Sequence, residues 1–294
     1  MTIHEFGHQY FYGIFASNEN AWPFLDEGMN SYAEQDALRA YKGAGNVVDL
    51  FGLRIADGEL ASVMSRDPNH ETRVAQPAES FNTGRQYGGL VYARTAALFE
   101  TVARVFGDET MQKGIAAYRK RARFRHPTPE DLIASFEEAD AKLAPFLQRA
   151  LFEKGWIDYA VLSVSSKATR VAGGIFDREG KRETVTGAAS SDHLYDGSVL
   201  IVRRGTLTLP VEVDLIFTDD TRERRYVTGT EESTRLSYRG DKELKGVIID
   251  PDHRILIDDV PENNGGLAKK APPFARVAER LLYWGELLVQ AVGP

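Results

Sequence analysis

The sequence predicts a multidomain α+β protein: a mainly helical part at residues 1–156, a β-sandwich at 160–262 and an amphipathic helix at 272–292. Three observations carry that expectation. Apolar residues recur at three- and four-residue spacing from the start to about residue 156. From Ala160 to about Asp259 the period becomes two, the pattern of strands with one buried face. At the end Phe274, Val277, Ala278, Leu281, Leu282, Trp284, Leu288 and Val292 return to helical spacing, with Arg276, Glu279, Arg280 and Glu286 opposite. A chain of 294 residues with 43% apolar and 27% charged residues has the length for two domains and the composition of a globular protein.

The first helical segment carries His4-Glu5-Phe6-Gly7-His8. Positions four apart lie one above the other on a helix, so both imidazoles can reach one metal ion. Glu5 sits beside that face, where its carboxylate can take a proton from an activated water. Two His and one Glu can also be a solvated face. Against that, Glu27 follows His8 after an eighteen-residue gap, in Trp22-Pro23-Phe24-Leu25-Asp26-Glu27-Gly28, and Leu25, Met29, Tyr32 and Ala33 give this second segment helical spacing of its own. Catalytic zinc keeps three protein ligands and one open position. Glu27 supplies the third ligand.

With its eighteen-residue gap and the WPFLDEGMNSYAE segment, HEFGHQYFYG resembles the zinc-binding region of the M1 metallopeptidases, the gluzincin aminopeptidases. The resemblance implies a thermolysin-like catalytic half-domain in which His4, His8 and Glu27 bind Zn²⁺ and Glu5 is the general base. It also implies a Tyr that hydrogen-bonds the oxyanion of the tetrahedral intermediate. The stretch Gln86-Tyr87-Gly88-Gly89-Leu90-Val91-Tyr92-Ala93-Arg94-Thr95 is similar to the family's Tyr-x-Lys-Gly segment, which places that role on Tyr92 and a second Tyr at Tyr87. Arg94 and Thr95 depart from the usual Lys-Gly. The family's Gly-x-Met-Glu-Asn segment, which grips the peptide backbone and free α-amino group, lies upstream of the zinc helix, whereas only Met1-Thr2-Ile3 precede His4. The chain is therefore expected to be the C-terminal portion of a larger enzyme.

Further along, residues 90–106, 108–121 and 129–152 show helical spacing. The last begins Thr128-Pro129-Glu130-Asp131, with Thr128 as N-cap, Pro at the first helical position and acids in the first turn. His126 and His70 sit in polar loops and read as local hydrogen-bonding residues. Gly155-Trp156-Ile157-Asp158-Tyr159 reads as a linker. Beyond it, Leu207, Leu209, Val211, Val213, Leu215 and Phe217 alternate with Thr208, Pro210, Glu212 and Asp214 as a strand. Asp219-Asp220-Thr221 turns the chain into a hairpin partner at Arg222–Thr228, and Gly246–Asp250 and Arg254–Asp258 flank another turn. Neither His193 nor His253 has a partner at metal-ligand spacing, and both read as surface residues.

A net charge of −7 without a basic stripe excludes nucleic acid as a partner. Having no cysteine, the chain has no disulfide, thiolate metal site or Cys nucleophile. Its compartment is not readable. The apolar runs of the terminal segment are far shorter than the roughly 20 residues a membrane span needs; it reads as a packing helix, with docking to a membrane surface or partner as the alternative. Zinc-dependent hydrolysis of peptides is the expected function. Its alternatives are an endopeptidase or other hydrolase using the same zinc site, and a non-catalytic fragment that binds a partner through the β-sandwich.

Overall fold

The computed structural model describes residues 2–42, 48–50, 53–55, 57–66, 72–169, 174–178, 180–185 and 194–269. The expected helix at 272–292 lies outside the described residues, as do His70 and His193.

Helices come first. α1 (Thr2–Phe11) is followed by a loop whose Phe15 bridges Arg125, and then by a π-helical turn, Phe24–Gly28, that runs directly into α2 (Met29–Lys42). Pro23 opens that turn, a position where a missing N–H costs no helical hydrogen bond. A ribbon of β1 (Val48–Leu50) and β2 (Leu53–Ile55) leads to α3 (Asp57–Met64). α4 (Gly84–Tyr87) starts at Thr83, whose hydroxyl accepts the Gln86 N–H at 3.1 Å. It passes into a second π-helical turn, Gly88–Arg94, before α5 (Thr95–Phe106), so the segment expected to be helical over 90–106 begins in a wider winding than the sequence predicts. α6 (Asp108–Ala122), α7 (Pro129–Ala139) and α8 (Leu143–Phe152) complete the helices. Thr128 and Asp131 form the capping box at the start of α7. The periodic run 129–152 is two helices, because the Asp140 carboxylate accepts the Lys142 N–H at 2.9 Å and turns the chain between them.

Strands follow. A three-stranded antiparallel sheet has the order β3 (Asp158–Thr169), β6 (Leu194–Arg204), β9 (Ser233–Gly240), with Val164 opposite Val199 and Val199 opposite Leu236. β4 (Gly174–Arg178) and β5 (Lys181–Val185) form a separate hairpin. The second sheet, also antiparallel, has the order β11, β10, β7, β8, from β7 (Val211–Phe217), β8 (Arg222–Val227), β10 (Leu244–Ile249) and β11 (Gly265–Leu267). The sheets meet at Gly266, where an added Cβ would lie 2.5 Å from Val161 Cγ1, so a larger residue there would force them apart.

Ile157, Asp158 and Tyr159 are buried, and the last two already belong to β3; the Tyr159 hydroxyl donates to Leu209 O. The alternating run 207–217 is regular strand only from Val211, after Pro210, which has no N–H for a ladder; Leu207 and Leu209 are buried all the same. Arg254–Asp258 is not a strand, because other partners take its backbone groups. The Asp250 carboxylate accepts the N–H of Arg254 and Ile255, and the Thr101 hydroxyl accepts that of Leu256. His253 is exposed, whereas His126, expected to bond locally, reaches Ala16 O at 2.8 Å across 110 residues.

One buried apolar cluster joins the helices to the sheets. Phe24, Met29, Val91, Phe99, Phe136 and Leu147 lie in it together with Ile157, Val199, Val213, Leu215 and Ile257. Both π-helical turns rest on this cluster through Phe24, Leu25 and Val91, and are thereby held beside α1.

Candidate active site

His4 and His8 stand one turn apart on α1, and their rings meet edge to face with centroids 4.8 Å apart. Both present Nε2 to the same oxygen. Glu27 Oε2, on the first π-helical turn, lies 3.1 Å from His4 Nε2 and 3.3 Å from His8 Nε2. One ligand atom from each of the three residues lies within 4.8 Å of the others, and they form the sole such group of His and acid side chains among the described residues. A tetrahedral zinc site with bonds of about 2.0–2.1 Å has edges of about 3.3 Å, so the donor set fits zinc in kind and in spacing.

Each imidazole is held from behind. His8 Nδ1 donates to Asp26 Oδ1 at 2.8 Å, and His4 Nδ1 lies 3.3 Å from Glu34 Oε2. A proton kept on Nδ1 leaves the lone pair on Nε2, the tautomer a metal requires. Burial alone would lower the His8 pKa; the hydrogen bond to Asp26 and the charges of Asp26, Glu27 and Glu5 instead hold it above its usual value. Burial also pushes the Asp26 carboxyl up to about 6, against the opposing pull of its bond to His8.

Two glycines allow these elements to approach. A Cβ on Gly7 would overlap Asn30 Oδ1, and without one Asn30 Nδ2 reaches His4 O at 2.7 Å and ties α2 to α1. A Cβ on Gly28 would lie 2.5 Å from Thr95 Cβ, Thr95 Cγ2 and Val91 O. Glycine after Glu27 therefore lets the two π-helical turns touch. Such contact brings Tyr92 to His4 and Glu27: its ring stacks on His4 at 5.8 Å and an interplanar angle of 27°, and its phenol hydrogen-bonds Glu27. Burial, then the Glu27 hydrogen bond and charge, hold the phenol pKa well above its usual value, so it remains a proton donor. Tyr87 meets Tyr92 edge to face at 6.0 Å.

The structure thus brings four of the five predicted site residues, His4, His8, Glu27 and Tyr92, into one cluster. Glu5 is exposed on α1, and its charge reaches His8. Sequence reasoning missed Asp26 and Glu34. Glu34 lies seven residues beyond Glu27, on the same helical face, and that spacing could have been read. For Asp26 there was only its adjacency to Glu27. The two departures from the resembling segment also acquire partners: Thr95 Oγ1 donates to Leu90 O at 3.3 Å, and Arg94 Nη1 binds Asp259 Oδ1 at 2.7 Å.

The fold is similar to that of a crystal structure of Legionella pneumophila aminopeptidase A in complex with aspartic acid, with a TM-score of 0.53 and 14% identity over 87% of this chain and 26% of that one. Aminopeptidase N of Lactococcus lactis subsp. lactis is 24% identical over 164 residues, 53% of this chain and 18% of the relative. The chain thus spans about a quarter or less of the length of these relatives. The model of the peptidase family M1 domain matches residues 1–149, just over half of the 294, and the chain belongs to the M1 peptidase family.

Proposed function

We propose that this chain carries the catalytic centre of a zinc-dependent peptidase of aminopeptidase type. His4, His8 and Glu27 would hold the Zn²⁺, which when bound supplies a Lewis acid that activates water and polarises the scissile carbonyl. Glu5 accepts the proton of the attacking water and passes it to the leaving amine as the C–N bond breaks. Tyr92 donates its hydroxyl proton in a hydrogen bond to the oxyanion that forms when water adds to the carbonyl. Asp26 and Glu34 keep the two imidazoles turned with Nε2 forward. We further assign residues 1–156 to a helical part of the catalytic domain and 160–262 to a β-sandwich domain.

The observation that carries this reading is the convergence of two Nε2 atoms on Glu27 Oε2 at 3.1 and 3.3 Å, each imidazole backed by a carboxylate. A module that only bound a partner would have no use for that arrangement. The names of the two relatives support a substrate with a free N-terminus. The test is Glu5→Gln in the complete protein, because Glu5 is assigned to the water and not to the metal. Zinc should stay bound while hydrolysis of an aminoacyl chromogenic substrate disappears. Loss of zinc, or wild-type turnover, would show that the role given to Glu5 is wrong.

A further inference from the structure

Tyr92 and Arg94 belong to the same seven-residue π-helical turn, Gly88–Arg94. Residues two apart on a helix face different ways. Here Tyr92 stacks on His4 while Arg94 points to the β half of the chain, where Nη1 donates to Asp259 Oδ1 at 2.7 Å and Nη2 to Gly155 O at 3.3 Å. Both side chains of the ion pair are buried, with 8% and 4% of their surface exposed. The acceptor side is itself fixed: the Asp259 N–H donates to Ile157 O at 3.0 Å, and the neighbouring Asp258 carboxylate accepts the N–H of Tyr159 and Val260.

We propose that Arg94 and Asp259 are positioning residues for Tyr92, through which the β half of the chain sets the direction of the oxyanion donor. The proposal rests on the role given to Tyr92 above. A π-helical turn is rare and short, and its winding is held by what surrounds it more than by its own hydrogen bonds. A buried, two-point guanidinium contact is a weak source of stability, since desolvation consumes most of its attraction, but it is directional. Its geometric effect falls on the turn that carries Tyr92, two residues from the anchor. Arginine suits this place better than lysine, because one ammonium cannot address Asp259 and Gly155 along two fixed directions.

The expected effect follows from the cost of displacement. Moving a catalytic group by about 1 Å costs up to about 10²-fold in rate, and losing an oxyanion donor altogether costs about 10²–10³. Asp259→Asn in the zinc-loaded complete protein should therefore lower kcat by about 10- to 100-fold with KM changed less than about twofold, and Arg94→Lys should do the same. In a Tyr92→Phe background the same substitutions should cost less than about twofold more, since the group they position is gone. A readout free of turnover is the ring ¹³C resonance of Tyr92 in the metal-free protein, identified by its loss in Tyr92→Phe; it should shift in both variants. If Asp259→Asn does not fold, Arg94→Lys, which retains the charge, carries the test. Undiminished kcat in the single variants, an undiminished loss in the Tyr92→Phe background, or an unmoved resonance would overturn the proposal. If Tyr92→Phe alone keeps wild-type kcat, the oxyanion role fails instead, and the resonance still decides whether the ion pair positions the ring.

Discussion

Replacing Gly28 with alanine should disable the site by a single methyl group. The new Cβ would stand 2.5 Å from Thr95 Cβ and Cγ2 and from Val91 O, whereas carbon atoms in contact rest about 3.5–4.0 Å apart. Relief requires the two π-helical turns to separate by about 1 Å, and Val91 O, as backbone, cannot rotate away. Overpacking of this kind costs about 1–3 kcal/mol, which for a chain of this size lowers Tm by about 2–12 °C at roughly 2–4 °C per kcal/mol. Activity should suffer more than stability. The separation moves Glu27 from the histidines and Tyr92 from Glu27, and about 1 Å of misplacement is enough for up to 10²-fold in rate. Gly88→Ala is the control, because a Cβ there meets nothing within 4 Å and the backbone is already right-handed helical at φ −60°. Thermal unfolding and zinc titration of both variants decide the matter. If Gly28→Ala unfolds within about 0.5 kcal/mol of the wild type and binds zinc as tightly, the close approach of the two turns does not build the site.

Asp26→Ala should weaken zinc binding by about 10- to 100-fold in a competitive chelator titration, since it removes the acceptor that holds His8 Nδ1, and Glu34→Ala should act likewise through His4; unchanged affinity would show that the carboxylates do not orient the rings. Asp258 makes stability depend on pH away from the site. Burial pushes its carboxyl up from 3.8 to about 7 despite the N–H donors of Val260 and Tyr159 and the Asn264 amide. Because the folded-state pKa lies above the unfolded value, the native chain holds this proton more tightly; the resulting stabilisation is complete below pH 3.8 and lost as pH rises to about 7. Asp258→Asn should remove that slope from urea unfolding measured between these limits, and identical slopes in the two proteins would contradict the assignment.

How much could be read in advance depended on how local the determining physics was. The candidate ligands were legible because four-residue spacing on a helix is a geometric statement, and Glu27 added a residue type that zinc accepts. Tyr92 needed the family resemblance: a phenol at the start of an apolar helix carries no spacing of its own. The π-helical turns under Glu27 and Tyr92 were invisible, since a shift to i→i+5 bonding leaves apolar periodicity almost unchanged over five to seven residues. Gly28 was legible as a letter, and its reason appears only when Val91 and Thr95, far along the chain, arrive beside it. The segment Arg254–Asp258 failed to form a strand for the same reason: its Ile255-Leu256-Ile257 run is apolar and buried, yet its N–H groups are claimed by Asp250 and Thr101. Arg94 looked like a mere departure from a motif until Asp259, distant in sequence, accounted for its charge.

His4, His8 and Glu27 are proposed to form a zinc centre. Zinc content of the purified complete protein, measured by elemental analysis after dialysis against metal-free buffer and compared with His8→Ala, decides between metal-bound and metal-free readings. Stoichiometric zinc is expected in the wild type and its loss in the variant, with hydrolysis lost in parallel. Wild-type protein that hydrolyses peptides without zinc, or His8→Ala that retains it, would show that these residues do not hold the metal.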